Sequence, residues 1–358
     1  MAADAPGLDF AFSEADYRPA APPPEVVARY GIGLVGCGGI ARGAHLPAYR
    51  RAGYRVTACC DVVEASARKA AADFGIPFWT SELDALLSRP DVDLVDLAVP
   101  AAERRPLVEA IARAGKPILS QKPFALSMDD ARAMVEACAR AGVPLMINQQ
   151  ARWAPAHRAL RRVLDLGVLG HVYSVLHVLR SWQDEPGSWY VRMPDFNIVD
   201  HGIHFIDLSR FFTGLSPRRV KALTTRMPGQ LAVTPMIYTI ALEYPEGSEV
   251  MTTLHFNNIV RAAETHGSTW YADGTEGSAV LAGDLLSVAR RDRPGEKRTL
   301  RLRGRWFPDA FGGSMGEMLT ALAEGREPAT SGWDNLASIR IAYAAVESAA
   351  TGGAVDLG

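Results

Sequence analysis

The sequence lacks most features that mark a secreted, metal-stapled or membrane-bound chain. Its 358 residues include only four cysteines, Cys37, Cys59, Cys60 and Cys138. Cys59 and Cys60 are adjacent, no Cys-x-x-Cys pair occurs, and all four lie in apolar stretches. Reduced core thiols are therefore expected, with no disulfide framework and no metal site. No apolar run approaches the ~20 residues that span a bilayer, and the start MAADAPGLDF has no basic, apolar secretory signal. Excess charge is missing too: 38 Lys+Arg against 40 Asp+Glu leave −2. That balance removes the electrostatic basis for nucleic-acid or anionic-membrane partners. The expectation is a cytoplasmic protein with a small-molecule partner.

A chain of this length predicts two domains. Residues 1–28 are acidic, poor in large apolar side chains and end in the run Pro22-Pro23-Pro24. They read as an arm that cannot fold alone, either wrapped on a partner subunit or free. From residue 29 to 147 short apolar runs (GIGLV, YRVTACC, VDLVDLAVP, PILS, VPLMIN) alternate with helical patterns. Ser127 and Asp130 have capping-box spacing, and Gly142 follows that helix. This rhythm predicts an α/β Rossmann domain with a parallel sheet. Residues 148–330 carry longer alternating segments, with MIYTIALEY and EVMTTLHFNN flanking Pro245-Glu246-Gly247 as a hairpin. They predict an α+β substrate and oligomerisation domain on a largely antiparallel open sheet. Residues 331–358 form a final helix, capped by Ser331 and Asp334, and a tail.

Gly36-Cys37-Gly38-Gly39-Ile40-Ala41 follows a strand and opens a helical pattern. It fits G-x-G-x-x-A, in which small residues let backbone N–H groups approach a pyrophosphate. Asp61 lies 25 residues beyond Gly36 at the end of the second strand. A carboxylate there accepts from both ribose hydroxyls and repels a 2′-phosphate, so NAD is favoured over NADP. Lys122-Pro123 ends a later strand, where α/β sheets place ligands, although a surface lysine is the plainer reading. IVDHGIHFIDL reads as one helix in which Asp200 and His204, four apart, share a face. A carboxylate beside an imidazole suits general acid–base work or simply stabilises a helix. His201 and His204 lack an evident third metal ligand. Gly312-Gly313-Ser314-Met315-Gly316 matches a nucleophile elbow, but no convincing strand precedes it. Six of seven tryptophans lie beyond residue 150, available to sugar faces or to the core.

Together these segments, with NQQARWAP, VLDLGVLGHVYSV and GREPATSGWDNLASIRIAYAAVESA, resemble the Gfo/Idh/MocA oxidoreductase family over residues 30–355. The resemblance implies a Rossmann domain followed by a domain whose open sheet forms subunit contacts, and hence a homodimer or homotetramer. It places Gly36, Gly38, Gly39, Ile40, Asp61, Val99, Pro100, Gln121 and Lys122 at the cofactor. It makes His204 the acid/base, with Asp200 orienting it and Lys122 on the substrate hydroxyl. Asn148, Gln150, Arg152, Trp153 and Asn197 are candidate substrate contacts, as are Trp306 and Asp309. Two positions depart from the family pattern: Gln121 replaces a Glu, and Arg104 stands where many members have His. The implied activity is NAD-dependent oxidation of a secondary alcohol in a sugar, glycoside or inositol. Alternatives are a retained NAD that is recycled between two sugars or that permits C3 oxidation and glycoside cleavage. A non-catalytic NAD-binding protein is the remaining alternative.

Overall fold

The computed structural model describes residues 8–358, so the first seven residues of the arm lie outside the described residues. The chain divides into two compact units. One comprises residues 19–154 and 305–339; the other comprises the N-terminal stretch to Arg18, residues 155–304 and residues 340–358. The boundaries thus differ from a simple serial reading. Residues 19–28 of the arm and residues 305–339 belong with the first unit.

Six parallel strands build the first unit: β1 Gly31–Val35, β2 Arg55–Cys60, β3 Phe78–Thr80, β4 Leu94–Leu97, β5 Ile118–Gln121 and β6 Leu145–Asn148. Their order β3-β2-β1-β4-β5-β6 is that of a doubly wound dinucleotide-binding sheet. β1, β4, β5 and β6 are buried along their whole length, which is why they read as continuous apolar runs rather than as alternation. In the helix Met128–Ala141, Ser127 accepts from the Asp130 N–H, and Gly142 ends it at φ 67°.

The helical pattern that opens after the glycine turn is a wide turn over Ala41–His45 followed by the helix Leu46–Ala52. Pro47 has no N–H to return to the preceding turn, so regular helix cannot run through it. A buried network ties this segment to the sheet. His45 Nδ1 lies 2.7 Å from Asp96 Oδ2, and Tyr49 donates to the same oxygen at 2.8 Å. Burial, reinforced by Asp96, pushes the Tyr49 phenol well up, keeping it a donor.

The helix Asp309–Glu324 completes this unit. Ala310, Phe311, Met315, Met318 and Leu319 share a core with Ile32, Tyr49, Leu94, Leu119 and Met146. Gly313 and Gly316 permit the contact: a Cβ on Gly313 would sit 2.7 Å from Trp153 Cβ and 2.8 Å from Pro19 Cγ. On Gly316 it would sit 2.6 Å from the Tyr54 hydroxyl. The elbow-like glycines are therefore packing residues, and Ser314 is buried in mid-helix, donating to Asn148 Oδ1 at 2.7 Å.

The second unit holds nine strands: β7 Val172–Arg180, β8 Arg219–Thr225, β9 Ile237–Glu243, β10 Met251–Asn257, β11 Gly267–Gly274, β12 Gly277–Ala282, β13 Leu285–Arg290, β14 Lys297–Arg301 and β15 Val355–Asp356. Their order is β14-β13-β12-β11-β7-β10-β9-β8-β15, antiparallel except for the parallel pair β7–β10. β9 and β10 form the expected hairpin, in register from Glu243↔Met251 to Ile237↔Asn257. Along β7 and β9 buried residues alternate with half-buried ones. His177 of β7 is fully buried, stacked on Phe205 at 4.2 Å, and burial lowers its pKa well below 6.5. Residues 8–18 of the arm pack on their own chain in this unit: Leu8, Phe10 and Tyr17 are buried, and Arg298 donates to the Leu8 and Phe10 carbonyls. The described part of the arm therefore does not hang free.

Candidate active site

The glycine turn is set by the end of β1. Gly36 has φ 93°, and a Cβ there would meet the Ala98 carbonyl oxygen at 2.7 Å and Val99 Cγ1 at 2.9 Å. Only glycine satisfies both the dihedral and the close approach. Cβ atoms on Gly38 or Gly39 would meet nothing within 4 Å. Both are exposed at the start of the turn that leads to Ile40. Packing does not require glycine at these two positions, but an approaching anion would.

Asp61 follows β2, and its carboxylate is fixed from two sides. Oδ2 accepts from the Cys37 N–H at 2.7 Å, and Oδ1 from the Val63 N–H at 2.8 Å. Each oxygen keeps a further lone pair for a hydroxyl. Val62, 91% exposed, and Val63 bring no cation to the carboxylate's own loop. The Cys37 thiol is pushed up by its contact with Cys59 and by burial, and Cys60 to about 11 by burial and Asp61. The residues fit a diphosphate over the turn and a ribose at Asp61. Replacing Asp61 with Ala should weaken NAD binding about 10–100-fold, the worth of a hydrogen bond to a charged group. It should also narrow the preference over NADP; parallel cofactor titrations with a melting curve would check this.

Farther along the same edge, β4 leads into Val99-Pro100 and β5 into Gln121-Lys122-Pro123, with a cis Lys122–Pro123 bond. Lys122 is half-buried rather than a free surface lysine, and Gln121 is buried with no hydrogen-bond partner for Oε1. Neighbouring buried polar atoms share that condition: Ser120 Oγ, Asn148 Nδ2, Gln149 Oε1 and both amide atoms of Gln150. Buried polar groups call for partners. These residues cluster along the chain at the carboxyl ends of β5 and β6.

The candidate substrate contacts divide. Asn148 and Gln150 belong to that cluster. Arg152 pairs with Asp334 at 3.3 Å. Trp153 is a core residue, packed with Phe311 and Met315, and Trp306 lies against the same core. Asp309, the first residue of the helix Asp309–Glu324, accepts from the Arg305 N–H at 2.8 Å and pairs with Arg51 at 2.8 Å. Asn197 is fully buried with both ends of its amide engaged, by the Pro235 carbonyl at 2.8 Å and Asn258 Nδ2 at 2.6 Å. Trp153 thus packs in the core and Asn197 anchors a loop, while the Asp309 carboxylate is partly exposed between Arg305 and Arg51.

Asp200 and His204 lie in the second unit, both largely buried. They are not on one regular helix. Phe196–His201 is a wide turn in which the Gly202 N–H returns to the Asn197 carbonyl at 3.0 Å, and the α-helix Ile203–Thr213 follows. A wide turn accommodates an extra residue, and its end lies between Asp200 and His204. His201 faces Asn258 and Gln183, each at 3.4 Å. Among the described residues no group of three or more His, Cys, Asp or Glu side chains could hold a metal ion. No helix among them is long and apolar enough to cross a membrane.

Sequence reasoning missed the Ser120–Gln149 members of the polar cluster and the Arg104 contacts described below. Asn148 meets Ser314 across 166 positions, a separation that no local pattern signals.

Comparison with known proteins shows the family and the fold. The sequence model of the oxidoreductase family with an NAD-binding Rossmann fold matches residues 30–149, and that of the GFO/IDH/MocA C-terminal domain matches residues 157–280. D-apiose dehydrogenase of Paraburkholderia graminis is 36% identical over 343 residues, covering 92% of this chain and 90% of its own. Inositol 2-dehydrogenase of Rhizobium meliloti is 27% identical, covering 89% and 96%. A solved oxidoreductase from Agrobacterium radiobacter, in complex with NAD+, L-tartaric acid and magnesium, superposes with a TM-score of 0.82 at 27% identity, covering 91% of this chain and 98% of that one. The chain belongs to the GFO/IDH/MocA oxidoreductase family, with its NAD-binding Rossmann domain at residues 30–149.

Proposed function

We propose that the protein is an NAD-dependent dehydrogenase for a secondary alcohol of a small sugar, glycoside or inositol. The observation that carries the cofactor half is the open Gly38-Gly39 turn beside a backbone-fixed Asp61. The substrate class follows the relatives named for D-apiose and inositol. Bound NAD supplies the acceptor for the carbinol hydride. His204 takes the hydroxyl proton, and Asp200 holds its imidazole in the useful tautomer. Lys122 donates to the alcohol oxygen and stabilises charge developing there. Asn148, Gln150, Arg152 and Trp306 are further substrate-side candidates. The half-buried outer positions of β7 and β9 support assembly into a homodimer or homotetramer.

The test mixes purified protein with NAD or NADP and a panel of inositols, aldoses and glycosides, following nicotinamide absorbance with mass analysis of each mixture. Reduction of added NAD by a polyol or sugar, faster than that of NADP, is expected. An altered sugar without net reduction would instead favour a retained, recycled cofactor. No change in any mixture would remove the catalytic reading.

A further inference from the structure

Arg104 opens the helix Arg104–Arg113, yet its guanidinium turns back from the helix and is only 2% exposed. Nε and Nη2 donate to the Val99 carbonyl at 3.0 and 2.9 Å, and Nη2 also to the Lys122 carbonyl at 3.0 Å. Nη1 donates to the Pro123 carbonyl. A buried cation is tolerated only where its donors are satisfied, and here carbonyls from two separate segments satisfy it. Those segments are the extensions of β4 and β5. The β4–β5 register runs Val95↔Ile118, Asp96↔Leu119, Leu97↔Ser120 and goes no further. Beyond it, one side chain joins Val99 to Lys122 and Pro123.

We propose that Arg104 is a positioning residue for Lys122: its guanidinium clips the Val99-Pro100 and Lys122-Pro123 segments together and so fixes where the Lys122 ammonium is presented. This inference rests on the role given to Lys122 in the proposed function. The chemistry requires arginine. Its planar fork offers five donors in fixed directions, which can serve three carbonyls on two segments at once. A lysine ammonium is a point donor, and an imidazole offers at most two N–H groups. The guanidinium also stays charged across the working pH range, so the clip does not titrate.

The experiment uses full-length protein carrying Arg104→Gln or Arg104→Lys, with hydrogen exchange followed by mass spectrometry and no substrate present. Faster exchange is expected in peptides covering residues 98–104 and 120–126, with the rest of both units unchanged. Acylation of Lys122 by an N-hydroxysuccinimide ester, referenced to Lys69 in the same sample, should change at least threefold in Arg104→Gln. In turnover, kcat should fall about 10–100-fold, the cost of a misplaced catalytic group, and by more than KM for NAD rises. Sub-denaturing guanidinium should restore part of the kcat of Arg104→Gln. Unchanged exchange and unchanged Lys122 reactivity in folded variants would overturn the clip. Altered exchange with unaltered kcat would overturn its positioning role. A wild-type protein inactive on every substrate would count against the proposed function alone, since the exchange and acylation readings need no turnover. Should Arg104→Gln fail to fold, Arg104→Lys keeps the charge and carries the exchange and kinetic readings.

Discussion

Replacing His204 with Ala should lower kcat by about 10²–10⁴, the usual worth of a positioned general acid or base. NAD affinity should stay within about twofold. The two effects separate because His204 lies in the second unit, whereas every residue assigned to the glycine turn and to Asp61 lies in the first. The measurement is steady-state nicotinamide absorbance with the best substrate from the panel, alongside cofactor titration by tryptophan fluorescence. The side chain is largely buried on the helix Ile203–Thr213, so a melting curve must accompany the kinetics. His204→Gln, closer in volume, controls for lost packing. A folded His204→Ala enzyme with unchanged kcat would end the acid/base assignment. A fall in NAD affinity that matches the fall in kcat would place the residue in cofactor binding instead.

The glycine turn should respond to two substitutions in two different ways. Gly36→Ala forces a side chain onto a backbone at φ 93° and sets its Cβ 2.7 Å from the Ala98 carbonyl oxygen. Strained backbone of that kind costs about 1–3 kcal/mol before the clash is counted. For a unit of this size each kcal/mol lowers Tm by about 2–4 °C. Stability and NAD binding should both fall. Gly38→Ala meets nothing within 4 Å and should leave Tm within about 1 °C of wild type. Its methyl group would occupy the space over the N–H groups, so NAD binding should weaken about 10–100-fold, the range expected when hydrogen bonds to a charged phosphate are lost. The decisive comparison is Gly38→Ala by calorimetric titration. Full NAD affinity there would mean that the open space holds something other than the diphosphate.

How much of this was legible beforehand depended on the reach of each signal. The parallel sheet was readable because both of its faces are covered, so that GIGLV and the Leu145-Met146-Ile147 run of β6 carry no polar side chain and glycine turns separate strands from helices. The antiparallel sheet was readable from alternation in HVYSVLHVLR and from the Pro245-Glu246-Gly247 turn. Asp61 was legible because its spacing from Gly36 is fixed by one strand–helix–strand unit. The wide turn before Gly202 was not legible: its hydrogen bonds differ from those of an α-helix by one residue, and its anchors, Pro235 and Asn258, lie far along the chain. The same holds for Trp153 and Asp309. An aromatic or acid near a motif carries no local mark that says whether it meets a ligand, a core or an ion-pair partner. The membership of residues 305–339 in the first unit was hidden for a related reason, since helical periodicity names an apolar face without naming what covers it.

That late membership bears on how the chain is made. β6 ends at Asn148, whereas the helix that supplies Phe311, Met315 and Met318 to the core of the same unit begins only at Asp309. At cellular elongation rates the intervening stretch takes on the order of 10–30 s to synthesise. Throughout that interval the finished six-stranded sheet leaves Ile32, Tyr49, Leu94 and Leu119 without one wall of their core. The cofactor-binding unit therefore closes its core only once the helix Asp309–Glu324 has been made.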